Sequence, residues 1–147
     1  MKTKQTGFTL VELLIAMTII GILTSVSYPS YVKHIQKTKR AEAESALMSL
    51  AAAMEQWRVE NNNNYTGVTL GTATTAIFSN QVPSDCDTTT SVCTNKKTYT
   101  LSISRLTASN YTLKATPFGS QIGDECGDLT LDSTSIKGAV KTTDCWE

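Results

Sequence analysis

Histidine occurs once in this 147-residue chain, at His34. It stands among Lys, Gln and Thr, with no second imidazole, so neither a His-based metal site nor a His-centred catalytic pair is in view. No two cysteines have the C-x-x-C spacing of a zinc or redox site. No Gly-rich phosphate loop occurs, and Gly21 stands alone in an apolar stretch. Net charge is absent too, with 13 basic and 13 acidic side chains. Residues 1–60 hold seven Lys/Arg and five Asp/Glu, whereas residues 61–147 hold six and eight. The second part is therefore mildly acidic, which argues against broad nucleic-acid affinity. Asp124, Glu125, Asp128 and Asp132 suggest calcium, but they fit no EF-hand spacing and read as solvated loop charge. The expectation is a non-enzyme without cofactor or metal.

Charge is scarcest from Phe8 to Tyr28, where Glu12 is the only charged side chain in 21 residues. As a helix this run spans roughly 30 Å, the thickness of a bilayer core. A carboxylate inside such a run costs about 2.5–3.5 kcal/mol, so Glu12 reads as functional. Lys2 and Lys4 precede the run, but Lys33, Lys37, Lys39 and Arg40 follow it closely, so counting basic residues leaves the orientation open. The cluster from Lys33 to Arg40 reads as a solvated or intersubunit face near a membrane surface.

Pro29 follows the run and predicts a kink in a continuing helix. Beyond it, Ala43, Leu47, Leu50, Met54 and Trp57 are spaced by four, three, four and three, and share one helical face. The run Asn61–Asn64 ends the pattern. One helix from about Phe8 to Glu60 is expected, with an apolar first half and an amphipathic second half. Residues 65–95 are rich in Thr, Ser and Asn and read as a long loop. Alternation predicts strands at Tyr99–Ser104 and Tyr111–Ala115, with a turn between them. Leu129–Leu131 predicts a third strand, and Ile136–Val140 a fourth. The apolar side of the sheet (Tyr99, Leu101, Ile103, Tyr111, Leu113, Leu129, Leu131) is expected on the helical stripe. The fold class is α+β: one long helix on an antiparallel sheet of about four strands.

All four cysteines lie after residue 85, and an even count outside the cytoplasm reads as two disulfides. Cys86 and Cys93 are close enough to staple a small loop, although four cysteines allow three connectivities.

A short basic leader ending in Gly7, the Gly7–Phe8 junction, Glu12 five residues into the run and about twenty apolar residues resemble the class III signal of type IV pilins. The resemblance implies cleavage between Gly7 and Phe8 by a prepilin peptidase and methylation of the new amine of Phe8. It implies that Glu12 neutralises the amino terminus of a neighbouring subunit during assembly. A charged amine buried in apolar surroundings does need an opposite charge. Pairing of Glu12 with its own amine, one helical turn away, stays open beside the intersubunit pair.

The tail, Cys126–Gly127–Asp128–Leu129–Thr130–Leu131 followed by Gly138 and Asp144–Cys145–Trp146, is similar to that of PilE-like minor pilins of gamma-proteobacteria. That resemblance implies a Cys126–Cys145 disulfide closing the C-terminal region. It divides the chain into a leader (1–7), a transmembrane and filament-core segment (8–28), an amphipathic segment (29–60) and a globular head (61–147). The implied function is a pilus subunit, minor rather than major, supporting twitching motility, adhesion or DNA uptake. The implied partners are other pilins, the prepilin peptidase and the inner-membrane assembly platform. Its route runs from the inner membrane across the periplasm to an extracellular filament. The alternatives are a type II secretion pseudopilin or a DNA-binding competence pilin. Lys96 and Lys97, beside Cys93, would carry the DNA reading.

Overall fold

The computed structural model describes residues 8–71, 76–83, 96–141 and 144–146. The expected Cys86–Cys93 staple, and Gly7 of the cleavage junction, lie outside these residues. The chain divides into two units, residues 1–35 and 36–147.

The long helix α1 (Leu10–Glu60) opens two residues later than expected, because Thr9 caps it. The Thr9 hydroxyl accepts a hydrogen bond from the Glu12 N–H at 3.3 Å, satisfying one of the amides orphaned at a helix start. In the first unit the apolar side chains from Leu10 to Tyr28 are exposed. Thr18, Thr24 and Ser25 turn their hydroxyls back onto carbonyls of the preceding turn, at 2.7–2.8 Å. Such bonds leave few polar groups facing outward, as an apolar medium requires. α1 runs through Pro29 without interruption.

In the second unit the stripe forms as expected. Ala43, Leu47, Leu50 and Met54 are fully buried, and Trp57 packs partly buried against the same cluster. The asparagine run is more than a poor helix former. Asn62 adopts φ 54°, and the Asn63 N–H reaches back to the Arg58 carbonyl at 2.9 Å. This left-handed residue with its six-to-one bond is a helix C-cap, and asparagine tolerates the conformation.

The sheet has five strands in sequence order, all antiparallel. They are β1 (Gln81–Val82), β2 (Tyr99–Leu106), β3 (Tyr111–Pro117), β4 (Leu129–Asp132) and β5 (Lys137–Ala139). The additional strand is β1, two residues inside the segment read as a loop. Its length gives no alternation to detect. Of the expected sheet face, Tyr99, Leu101, Tyr111, Leu113, Leu129 and Leu131 are buried and Ile103 is partly so. The register of β2 on β3 shifts between Ile103 and Arg105. That bulge places Ile103 and Leu106 on the same core face, opposite Leu113 and Tyr111, although they are three residues apart. β5 is an edge strand, so its flanks Ile136 and Val140 stay exposed.

Candidate functional site

The expected processing and assembly residues all lie on the first unit. Phe8 is exposed and precedes the first turn of α1; Glu12 and Pro29 are exposed on the helix. With Gly7 attached, Phe8 has no free amine to pair with Glu12.

The head is organised around a buried ion pair that sequence reading did not find. Arg40 and Asp124 have side chains 10% and 1% exposed. Arg40 Nε donates to Asp124 Oδ2 at 3.0 Å, and Arg40 Nη2 donates to Oδ1. Arg40 Nη1 also donates to the Asp144 carbonyl at 3.3 Å. The Tyr99 hydroxyl donates to Asp124 Oδ2 at 2.9 Å, and the Cys126 N–H to Oδ1 at 3.2 Å. Burial alone would raise the Asp124 pKa. The bonds from Arg40, Cys126 and Tyr99, with the Arg40 charge, outweigh it and hold the carboxylate below its ordinary value. Burial, with the bond to Asp124, pushes Tyr99 up to about 12.

Arg40 therefore does not belong to a solvated basic face, nor Asp124 to solvated loop charge. The corrective signal was periodicity. Arg40 lies three residues before Ala43 and seven before Leu47, on the buried stripe itself. The other loop carboxylates are engaged as well. Lys114 pairs with Asp128 at 2.6 Å and Lys141 with Glu125 at 2.8 Å. Asp132 Oδ1 accepts the N–H groups of Thr134 and Ile136, each at 2.9 Å, closing its own turn.

Cys126 and Cys145 are joined, with Cα atoms 5.6 Å apart, across a sequence separation of 19. The loop so closed carries β4 and β5. A Cβ at Gly138 would sit 2.5 Å from the Thr130 hydroxyl, so any larger residue would require the Thr130 side chain to shift. Trp146 Nε1 donates to the Gly138 carbonyl at 2.9 Å, and Lys137 Nζ lies 5.1 Å from the Trp146 ring centre. Lys137, Lys141, Asp144 and Trp146 line an open cleft of about 360 Å³ here. At the start of the loop after α1, the Tyr65 hydroxyl donates to Glu55 at 2.6 Å and its ring packs edge-on to Tyr111. Lys96 is exposed, and Lys97 Nζ lies 4.7 Å from the Phe118 ring centre.

Among solved structures, a type IV pilin from Shewanella oneidensis shares the fold with a TM-score of 0.50 and 24% identity. The match covers 76% of this chain and 98% of that one. The non-core minor pilin PilV of Neisseria meningitidis matches with a TM-score of 0.50 and 14% identity, over 76% and 92% of the two chains. Among curated relatives, the type II secretion system core protein G of Pectobacterium carotovorum subsp. carotovorum is 34% identical over 59 residues, 40% of this chain and 38% of its own length. The type IV major fimbrial protein FimA of Dichelobacter nodosus is 36% identical over 81 residues, 55% of this chain and 48% of its own. The chain thus spans less than half the length of these curated relatives. Residues 2–28 match the prokaryotic N-terminal methylation motif. Residues 29–130, most of the chain, match the family described as type IV minor pilin ComP, DNA uptake sequence receptor. With its apolar helix, capped head and five-stranded sheet, the chain belongs to that type IV pilin family, whose members are structural subunits and not enzymes.

Proposed function

We propose that this chain is a minor pilin cleaved between Gly7 and Phe8, methylated at Phe8, and assembled through its apolar helix into a filament whose head takes up DNA. The match of residues 29–130 to a family described as a DNA uptake sequence receptor carries this reading. Asp124, Glu125 and Asp128 are each matched by a basic partner, so the head's acidity is locally paired while its net charge is unchanged. The cleft beside Trp146 presents an indole and Lys137 to a phosphate backbone, with Lys141 at its edge already paired to Glu125. The prepilin peptidase, the inner-membrane assembly platform and other pilins are the partners this route requires, with Glu12 neutralising the Phe8 amine in the filament.

The relatives named type II secretion system core protein G favour a second reading, a pseudopilin of a secretion filament. Gel shifts of the mature full-length chain in detergent, with duplex DNA at two salt concentrations, separate the two. A DNA receptor should bind more weakly as salt rises, and Lys137→Ala should lower the log–log salt slope by about one. No shift at low salt would remove the DNA reading.

A further inference from the structure

One carboxylate of the C-terminal loop differs from the rest. Asp124, Glu125 and Asp128 each have a basic partner, and Asp132 closes its own turn. Among the described residues, the Asp144 carboxylate has neither an ion-pair nor a hydrogen-bond partner; only the backbone carbonyl of Asp144 is engaged, by Arg40 Nη1 at 3.3 Å. Asp144 is exposed and lines the open cleft together with Lys137 and Trp146. Its φ is 57°, in the left-handed region, which aspartate tolerates better than most side chains but which the surroundings must still enforce. Three bonds do so. Arg40 holds its carbonyl, the Cys126–Cys145 disulfide fixes the next residue, and Trp146 Nε1 holds the residue after that to the Gly138 carbonyl of β5 at 2.9 Å. The backbone carrying this unmatched carboxylate is therefore set in place before any ligand arrives.

We propose that Asp144 is the specificity-determining residue of this cleft, accepting a hydrogen bond from the N4 amino group of a cytosine in the major groove of a bound duplex. The inference rests on the DNA reading given above and adds the base that is read. A carboxylate is at odds with a cleft that serves phosphate alone, because like charges repel. Its favourable partner on DNA is a base amino group. Phosphate contacts such as that offered by Lys137 place a protein on the duplex, whereas contacts to base edges carry the sequence information. In the major groove cytosine shows a lone donor, and a carboxylate suits it. Guanine shows two acceptors and thymine one, and both would repel Asp144. Adenine has an amino donor, but its N7 acceptor lies beside it. Discrimination thus comes as much from repulsion of the wrong bases as from the bond to the right one. The amide of asparagine has the opposite preference, since it pairs with adenine through N6 and N7 together.

The test is selection from a duplex pool with a randomised centre, using the mature full-length chain in detergent and its Asp144→Asn variant. The substitution keeps the shape of the side chain, asparagine accepts a positive φ, and the Arg40 bond goes to the backbone, so the variant should unfold at the same temperature. The unsubstituted chain is expected to enrich cytosine at one position and to bind that duplex roughly tenfold more tightly than duplexes with another base there. Asp144→Asn should lose that preference or transfer it to adenine, with the other enriched positions unchanged. An enriched sequence that is the same in both proteins overturns the proposal. So does a variant that binds every duplex more tightly by the same factor, which would make Asp144 a repulsive charge and nothing more. Binding without enrichment at any position also overturns it, and leaves the DNA reading standing. Absence of binding at low salt removes the DNA reading and this inference with it.

Discussion

Arg40 decides more at the scale of single residues than any residue of the apolar run. Its guanidinium reaches Asp124, two residues before Cys126, and the carbonyl of Asp144, one residue before Cys145. One side chain of α1 thus holds both approaches to the disulfide. Removing one partner of a buried pair leaves an unmatched charge and costs about 3–5 kcal/mol. Asp124→Asn should lower the stability of the head by about that much, read by thermal unfolding of the mature chain in detergent. The same cluster sets the pH limits. The Asp124 pKa is depressed on folding, so its contribution is present above the ordinary carboxylate value, and it is lost as pH falls through the lower folded value. The Tyr99 pKa is raised to about 12, so its contribution is present below the ordinary tyrosine value and is lost as pH rises toward 12. Stability should therefore fall at both ends of the pH range, and Asp124→Asn should flatten the acid limb. An unchanged acid limb in that variant would show that other carboxylates set it. Only part of this site was legible in the sequence. The stripe through Ala43 and Leu47 predicts a buried position at Arg40, but naming Asp124 as partner needs a contact between residues 84 apart in sequence.

Among the elements, the disulfide-closed loop is where local and long-range constraints meet. β4 and β5 are short, four and three residues, and β5 has a neighbour on one side only. Strands of that length hold register poorly unless something else fixes them. Three devices do so here: the Cys126–Cys145 bond, the close approach of Gly138 to Thr130, and the bond from Trp146 to the Gly138 carbonyl. The double variant Cys126→Ser/Cys145→Ser should lose about 3 kcal/mol, the loop-closure entropy for this separation. Hydrogen exchange should localise the loss to β4 and β5, with β2 and β3 still protected. Uniform loss across the sheet would mean that the bond supports the whole core and not its edge. The long elements were legible because their periods are long enough to read: 3.6 along the helix, 2 along β2 and β3. β1 was not, because two residues carry no period and its place is set by pairing with Tyr99 and Thr100. The late start of α1 follows from the Thr9 cap, a local signal that the apolar pattern overshadowed.

Taken whole, the molecule joins a segment whose apolar side chains are exposed to a head whose apolar side chains are buried. The head closes its core with its own stripe and sheet. The leucines and isoleucines of the apolar segment are exposed, a surface that lipid or other copies would cover. Both covers are apolar, so the hydrophobic free energy of moving between them is small. What differs is charge. On the proposed route, cleavage frees the Phe8 amine, which would need a carboxylate once buried in a filament core, and Glu12 is the only acidic side chain from Phe8 to Tyr28. Glu12→Ala should therefore be cleaved and methylated normally yet enter filaments at least about tenfold less, since an unmatched buried charge costs more than the 1.4 kcal/mol of one decade. Quantifying the peptide that begins at N-methyl-Phe8, in sheared filaments and in membranes, reads both steps at once. Depletion in filaments with accumulation in membranes is the expected pattern. Equal incorporation of the variant would mean that the amine finds another partner, and the proposed role of Glu12 in neutralising it would fall.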